Sequence, residues 1–288
     1  MNQTITQWFL RGATVACLMV AAGCATNPTN PDATYTIAKS ADASALTVMS
    51  FNIRLGLGTD NPKGKIYRMK WGRELNGVIE AIRSANPDIV ALQEVAGKAQ
   101  MDKMARALKM YGAFEYHKTS DGRSPWWGVA VLSKYPIRGQ RGVQISYGVG
   151  NNKSILIADI ETPQGPVAAV SIHKDKDTKN GRPFKVAMKA LQSVPNPVLL
   201  MGDLNIRPSD PRMNLVANRF EDSLNSVTTA ASTYAKKRGT WRARNSYRID
   251  YVMPQRNRFE VIDAGVVDAA HHGASDHIGV VARVRIKR

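Results

Sequence analysis

Cysteine is nearly absent: the 288 residues hold two, Cys17 and Cys24, both close to the start. The rest of the chain therefore has no thiol for a structural disulfide, a zinc cluster or a nucleophilic cysteine. Long apolar runs are missing too. The stretch Gly12 to Gly23 is the nearest approach, and its twelve residues fall well short of the roughly 20 that span a bilayer. Acidic residues are scarce, 23 against 40 Lys plus Arg, for a formal charge of +17. A field of that sign draws in polyanions or anionic membrane surfaces and says nothing about fold. The 22 Gly and 14 Pro follow no period, which excludes a collagen-like chain, and there is no repeat or low-complexity block. What remains is globular material, 43% apolar and 22% charged, long enough for one large α/β domain or two small ones.

Arg11 is the only charge between Met1 and Gly23, and the short apolar stretch ends in small residues, the layout of an export signal. Val20-Ala21-Ala22-Gly23-Cys24 resembles a bacterial lipobox, with Ala21 where such motifs usually carry Leu. The resemblance implies that residues 1–23 are removed and that Cys24 is lipidated, anchoring the protein to a membrane; plain secretion and an uncleaved anchor are the alternatives. Ala25 after the cysteine implies an outer-membrane destination if the source is a diderm bacterium. Residues 24–45, with Asn-Pro-Thr-Asn-Pro and many small polar side chains, read as a flexible tether. One working domain is expected over 46–288, a monomer by default.

Within that domain, apolar or β-branched runs predict strands at 46–53, 89–93, 128–132, 155–160, 167–172, 198–201, 248–253 and 280–286. Leu75, Val78, Ile79 and Ile82 form a helical stripe that Asn86-Pro87 ends, because a residue before proline is pushed out of the α region. Met101, Met104, Ala105 and Leu108 form a second, with Gly112 as the expected stop. Methionines at this spacing are core filling rather than a metal-binding row. Strands mixed with amphipathic helices imply an α/β or α+β fold of packed layers.

Polar residues stand at the ends of the apolar runs, where a sheet holds a side chain firmly yet leaves it open to ligand. They are Asn52, Glu94, His173, Asp203 with Asn205, Asp250, and Asp276 with His277. Each alone is most simply a turn former, a cap or a structural histidine. Six strand ends carrying carboxylate, amide or imidazole in one cysteine-free domain suit a hard divalent ion and an anionic substrate instead.

The blocks Ser-Phe-Asn-Ile-Arg (50–54), Ala-Leu-Gln-Glu-Val (91–95), Gly-Val-Ala-Val-Leu-Ser-Lys-Tyr-Pro-Ile (128–137), Met-Gly-Asp-Leu-Asn (201–205), Arg-Ile-Asp-Tyr-Val (248–252) and Ala-Ser-Asp-His (274–277) resemble, in order, the endonuclease/exonuclease/phosphatase superfamily. The resemblance implies a four-layer sandwich of two packed mixed sheets flanked by helices, and a Mg²⁺- or Mn²⁺-dependent phosphoester hydrolase. Carried over residue by residue, Glu94 resembles the principal metal carboxylate, with Asn52 beside it and Asp276 as a further ligand. His277 resembles the general base and Asp250 the carboxylate that orients it. Asp203 is similar to the aspartate that positions or activates the nucleophile, and Asn205 to the amide that holds a phosphate oxygen. His173 resembles the second histidine of the deoxyribonuclease and sphingomyelinase branches; its acidic partner there has no assigned counterpart, with Asp175 and Asp177 as the candidates.

The motifs specify the reaction class more closely than the ligand. Between Ser223 and Ile249 there is no acidic residue, while Lys236, Lys237, Arg238, Arg242, Arg244 and Arg248 are interleaved with Tyr234, Trp241 and Tyr247. Basic groups that meet phosphates and aromatics that stack on bases are the usual means of holding nucleic acid, so DNA or RNA is the expected substrate. Arg123 and Trp126 are further candidates for substrate contact. Adjacent Trp126 and Trp127 also suit a membrane interface, which makes a sphingomyelinase-like phosphodiesterase acting on lipid the alternative. A nucleic-acid-binding protein without catalysis is the third reading.

Overall fold

The computed structural model describes residues 37, 42, 44–59, 72–119, 126–146, 151–175, 180–229, 232, 235–237, 239–241 and 247–287. The candidates Cys24, Arg123, Asp177, Arg238, Arg242 and Arg244, and nearly all of the tether, lie outside the described residues. Among the described residues no helix is long and apolar enough to cross a membrane.

Strands run Leu46–Asn52 (β1), Ile89–Val95 (β2), Tyr111–Tyr116 (β3), Lys118–Thr119 (β4), Gly128–Ser133 (β5), Ile137–Gln144 (β6) and Asn151–Asn152 (β7). They continue with Ser154–Thr162 (β8), Gly165–His173 (β9), Val198–Asp203 (β10), Asp250–Pro254 (β11), Phe259–Val266 (β12) and Val280–Ile286 (β13). Helices cover Leu75–Ala85 (α1), Gly97–Leu108 (α2), Arg182–Gln192 (α3), Asn214–Ala217 (α4) and Ser223–Ser226 (α5). One sheet has the order β12-β13-β1-β2-β5-β3, the other β11-β10-β9-β8-β6, and β4 pairs with β7 in a small ribbon. Each large sheet is mixed, with one parallel pair, β1 with β2 and β9 with β10.

The two sheets stack face to face, and side-chain alternation along each strand sorts residues between two cores. On β10, Leu199 and Met201 enter the layer between the sheets, while Val198 and Leu200 join Phe184, Ala187 and Leu191 of α3 on the outer face. On β9, Val167 and Ala169 point inward and Ala168, Val170 and Ile172 outward. The same parity directs Asp203 and His173, at the ends of these strands, toward the space between the sheets. Helices α1 and α2 supply Val78, Ile82, Met101 and Met104 to the core of the six-stranded sheet, so the methionines are core filling.

All eight expected strands form, with ends shifted by a few residues. The strands not anticipated in the large sheets, β3, β6 and β12, are all at sheet edges. An edge strand that faces water carries Gly, Arg and Gln freely, as in Ile-Arg-Gly-Gln-Arg-Gly-Val-Gln of β6, and loses the apolar run that marks a central strand. The second helical stripe does not stop at Gly112. Lys109 takes the left-handed conformation that ends α2, and Gly112 lies inside β3, where a Cβ would come within 2.2 Å of Met101 Sδ. Its conservation of space, rather than a helix stop, explains the absent side chain.

Candidate active site

The parallel pairs end at the same edge of the sandwich. Asn52 closes β1, Glu94 lies near the end of β2, and His173 and Asp203 are register partners at the ends of β9 and β10. β11 runs antiparallel to β10 and starts with Asp250 opposite Asp203. β13 runs antiparallel to β1, so the segment before Val280 returns His277 to this edge. Strand direction therefore collects six side chains that are up to 225 positions apart in the chain.

Glu94 needs a further device. Gln93 faces inward, its Nε2 donating to Ser171 Oγ at 3.1 Å, so simple alternation would turn Glu94 away. The pairing of β2 with β5 shifts register between Leu92 and Val95, and Glu94 adopts φ 52°. This bulge brings the carboxylate around to meet Asn52, whose Nδ2 donates to Glu94 Oε1 at 3.3 Å. Asn205 has φ 49°, a second non-glycine residue in the left-handed region at this site. Gly202, just before Asp203, has φ 157° and a Cβ there would lie 1.9 Å from the Ile172 carbonyl oxygen, so only glycine permits this approach of β10 to β9.

Asp203 is the centre of the arrangement. Its Oδ2 accepts from Asn52 Nδ2 at 3.1 Å and lies 3.7 Å from His173 Nε2 and 3.9 Å from His277 Nε2. Its Oδ1 accepts the Asn205 N–H at 2.9 Å, and Asn205 Nδ2 donates to the Lys174 carbonyl at 2.8 Å. His277 Nδ1 lies 2.9 Å from Asp250 Oδ2, and the backbone N–H of Asp250 donates to Thr240 Oγ1 at 3.1 Å. Ser275 Oγ donates to the Asn52 carbonyl at 2.7 Å and accepts the His277 N–H, which ties the final loop to β1. Asp276 faces Arg54, Nε to Oδ2 3.5 Å.

Burial and like charges set the proton positions. Burial raises the Asp203 carboxyl, and Asp250 beside it adds to the effect. Burial would strip the proton from His277, but Asp250, Asp203 and Asp276 outweigh it and raise the imidazole. In the free site these carboxylates favour the protonated form of the His277 imidazole. Glu94 is raised by burial, with Lys153 opposing and Asp276 reinforcing the shift.

The donor set suits a divalent ion. Among the described residues Asp276 Oδ1 is buried without a hydrogen-bond partner and Glu94 and Asp276 repel each other, while Asn52 turns Nδ2 to Glu94 and its Oδ1 accepts the Arg54 N–H at 3.0 Å. The two carboxylates are hard oxygen donors of the kind Mg²⁺ and Mn²⁺ prefer. Asp203, Asp250 and His277 also come within 4.8 Å of one another, yet the His277–Asp250 hydrogen bond already engages two of their atoms.

The substrate candidates divide. Trp126 is 37% exposed and stacks on buried Trp127, ring centroids 5.3 Å apart. Trp241 lies over His277 with centroids 6.4 Å apart. A cavity of about 340 Å³ opens beside it, lined by Asn205, Arg207, Trp241, Tyr247 and Ile249 among others. Arg207, not anticipated from sequence, lies 3.3 Å over the Tyr247 ring. Arg248 is 5% exposed and pairs with Asp222 at 2.7 Å while covering Tyr251, so its guanidinium is engaged inside the fold. An arginine in a basic stretch carries no mark in sequence that tells a buried ion pair from a free cation.

The acidic partner of His173 stays unassigned, since Asp177 lies outside the described residues. Among the described residues His173 Nδ1 faces Lys153 Nζ at 3.4 Å, and Lys153 also lies 3.6 Å over Trp127. His117, not anticipated, is buried next to this pair and accepts the Ser154 N–H on Nδ1 at 3.1 Å. Burial, with Lys153 second, lowers the His117 imidazole well below 6.5. The group is neutral when folded and charges more readily when unfolded, so its contribution to stability is present above pH 6.5 and lost as pH falls toward the depressed folded value. The thermal midpoint of the wild type should accordingly drop more steeply below pH 6.5 than that of His117→Gln; parallel curves would refute the assignment.

The family model for the Endonuclease/Exonuclease/phosphatase family matches residues 49–277, the span that contains every residue of this constellation. The chain belongs to the endonuclease/exonuclease/phosphatase family. It is 28% identical over 152 residues to exodeoxyribonuclease III of Haemophilus influenzae, a match covering 48% of this chain and 53% of that protein's length. The endonuclease/exonuclease/phosphatase from Beutenbergia cavernae superposes with TM-score 0.67 at 24% identity, covering 84% of this chain and 72% of that one. The human Nocturnin catalytic domain, solved with a bound sulfate, gives 0.65 at 17% identity, covering 85% and 94%. At these identities the structural matches establish the family fold of two mixed sheets with flanking helices.

Proposed function

We propose that this family member is a Mg²⁺- or Mn²⁺-dependent phosphodiester hydrolase that cleaves DNA or RNA. The observation that carries this reading is the convergence of His173 Nε2 and His277 Nε2 on Asp203 Oδ2, beside the Glu94–Asn52 pair. A phosphodiester anion repels nucleophiles, so its hydrolysis needs cationic or donating groups on the phosphoryl oxygens and an acceptor for the water proton. Glu94, Asn52 and Asp276 would hold the ion, which when bound supplies positive charge to the phosphoryl group. Asp203 orients water and takes its proton. The new P–O bond forms as the ester P–O bond breaks, and the departing oxygen is protonated from solvent. Protonated His277, held by Asp250, donates from Nε2 to a phosphoryl oxygen, and His173 and Asn205 donate to the others.

The cavity lined by Arg207, Trp241 and Tyr247 supports nucleic acid, since it combines a guanidinium with two ring faces next to the reacting groups. The exposed Trp126 favours the second reading, a phospholipid phosphodiesterase or a phosphatase at a membrane. Lipidation at Cys24 and an exported, membrane-anchored location complete the proposal. Plasmid DNA and a phosphocholine lipid offered in parallel decide between substrates. DNA cleavage should require Mg²⁺ or Mn²⁺, stop with chelator and fall by powers of ten between roughly 50 and 200 mM salt. Release of phosphocholine with DNA intact, or cleavage indifferent to chelator, would overturn it.

A further inference from the structure

Lys153 has no part in the reading above, yet it is a lysine only 6% exposed, placed behind one of the reacting imidazoles. A lysine is rarely buried without a reason, because its ammonium must be paired or solvated. Two of its contacts are the Trp127 ring at 3.6 Å and His173 Nδ1 at 3.4 Å. An ammonium can only donate hydrogen bonds. On the opposite side of the same ring, His173 Nε2 faces Asp203 Oδ2 at 3.7 Å and Glu94 Oε1 at 3.9 Å. Burial raises both carboxyls, and in their ionised forms they can only accept. The ring therefore meets a donor at Nδ1 and acceptors at Nε2.

We propose that Lys153 is a positioning residue that holds His173 as the neutral Nε2–H tautomer, so that the ring presents a hydrogen-bond donor to the substrate phosphate. An acidic partner at Nδ1 would impose the opposite arrangement, with a proton on Nδ1 and either a bare Nε2 or a full positive charge on the ring. Lys153 supplies positive charge behind the ring without placing a proton on Nδ1. The next residue acts in the same way on the neighbouring ring, since the Ser154 N–H occupies His117 Nδ1. The start of β8 thus sets both imidazoles of this wall of the site. Trp127 lies edge-on to His173, centroids 5.6 Å apart, and holds Lys153 in line with Nδ1.

The role of the donor rests on the proposed hydrolase reading, while the tautomer does not, and the two are tested separately. ¹⁵N-labelled full chain, free of divalent ions, should show His173 as a single Nε2–H tautomer by long-range ¹H–¹⁵N correlation. Lys153→Met, nearly the same shape without the ammonium, should give a mixture of tautomers. With plasmid DNA and Mg²⁺ it should lower kcat by about 10- to 100-fold, the usual effect of losing a partner behind a reacting group, with KM within about twofold. Lys153→Arg, which restores a donor, should recover the Nε2–H signal and most of kcat. An Nδ1–H tautomer in the wild type, or a Lys153→Met protein with wild-type spectrum and kcat, would overturn the proposal. If the wild type cleaves no phosphodiester, the hydrolase reading falls, and the spectra alone then decide whether Lys153 sets the tautomer.

Discussion

Replacing Asp203 with Asn should leave less than about 0.1% of wild-type turnover on a phosphodiester, the scale of losing a positioned base together with the charge that orients water. Among the described residues the other carboxylates of the site are already engaged, Asp276 through Oδ2 with Arg54. Asp250 is bound to His277 Nδ1, and Glu94 is bound by Asn52. The substitution is nearly isosteric, and the amide oxygen can still accept the Asn205 N–H that Asp203 Oδ1 accepts at 2.9 Å. Thermal unfolding should therefore remain cooperative with a midpoint within a few degrees. A folded Asp203→Asn protein that turns over near the wild-type rate would remove Asp203 from the chemistry.

His277→Ala should leave less than about 1% of turnover, and the form of imidazole that rescues it reports what the side chain does. Asp250, Asp203 and Asp276 favour the protonated form of this ring, against the effect of burial. If it acts as a donor to the phosphoryl oxygen, added imidazole should restore activity through its cationic form, so that rescue declines as the pH of the assay rises past about 7. A general base would need neutral imidazole and show the reverse trend. The cavity left by the side chain adjoins Trp241, whose ring lies parallel enough to His277, 30° between planes, to receive a small planar molecule. Rescue that increases with pH would return the base role to His277 and leave Asp203 as an orienting group.

The loss of Arg248 from the substrate candidates and the gain of Arg207 show how far composition can be trusted for a binding surface. Both are arginines near aromatic residues. One is neutralised by Asp222, 26 positions away, and the other lies against Tyr247 at the cavity. The expectation that nucleic acid meets this face rests on Trp241, Tyr247 and Arg207 among the described residues.

Periodicity and apolar runs were enough to locate the seven inner strands, the fully buried edge strand β11 and the first two helices, because a strand covered on both faces must be apolar along its length. Polar residues terminating those runs identified Asn52, Glu94, His173, Asp203, Asp250 and His277 for a related reason: a carboxylate or imidazole at the end of a buried strand is expensive unless it is used. The edge strands β3, β6 and β12 lacked that signature. The orientation of Glu94 depended on a bulge against β5, and the proton balance of Asp203 and His277 on their distances to Asp250 and to each other. The contact of Lys153 with His173 joins the residue before β8 to the end of β9 across 20 positions of sequence. Local pattern carries what is bought by burial along one element, whereas electrostatic pairing depends on distances between elements, and only the folded chain sets those.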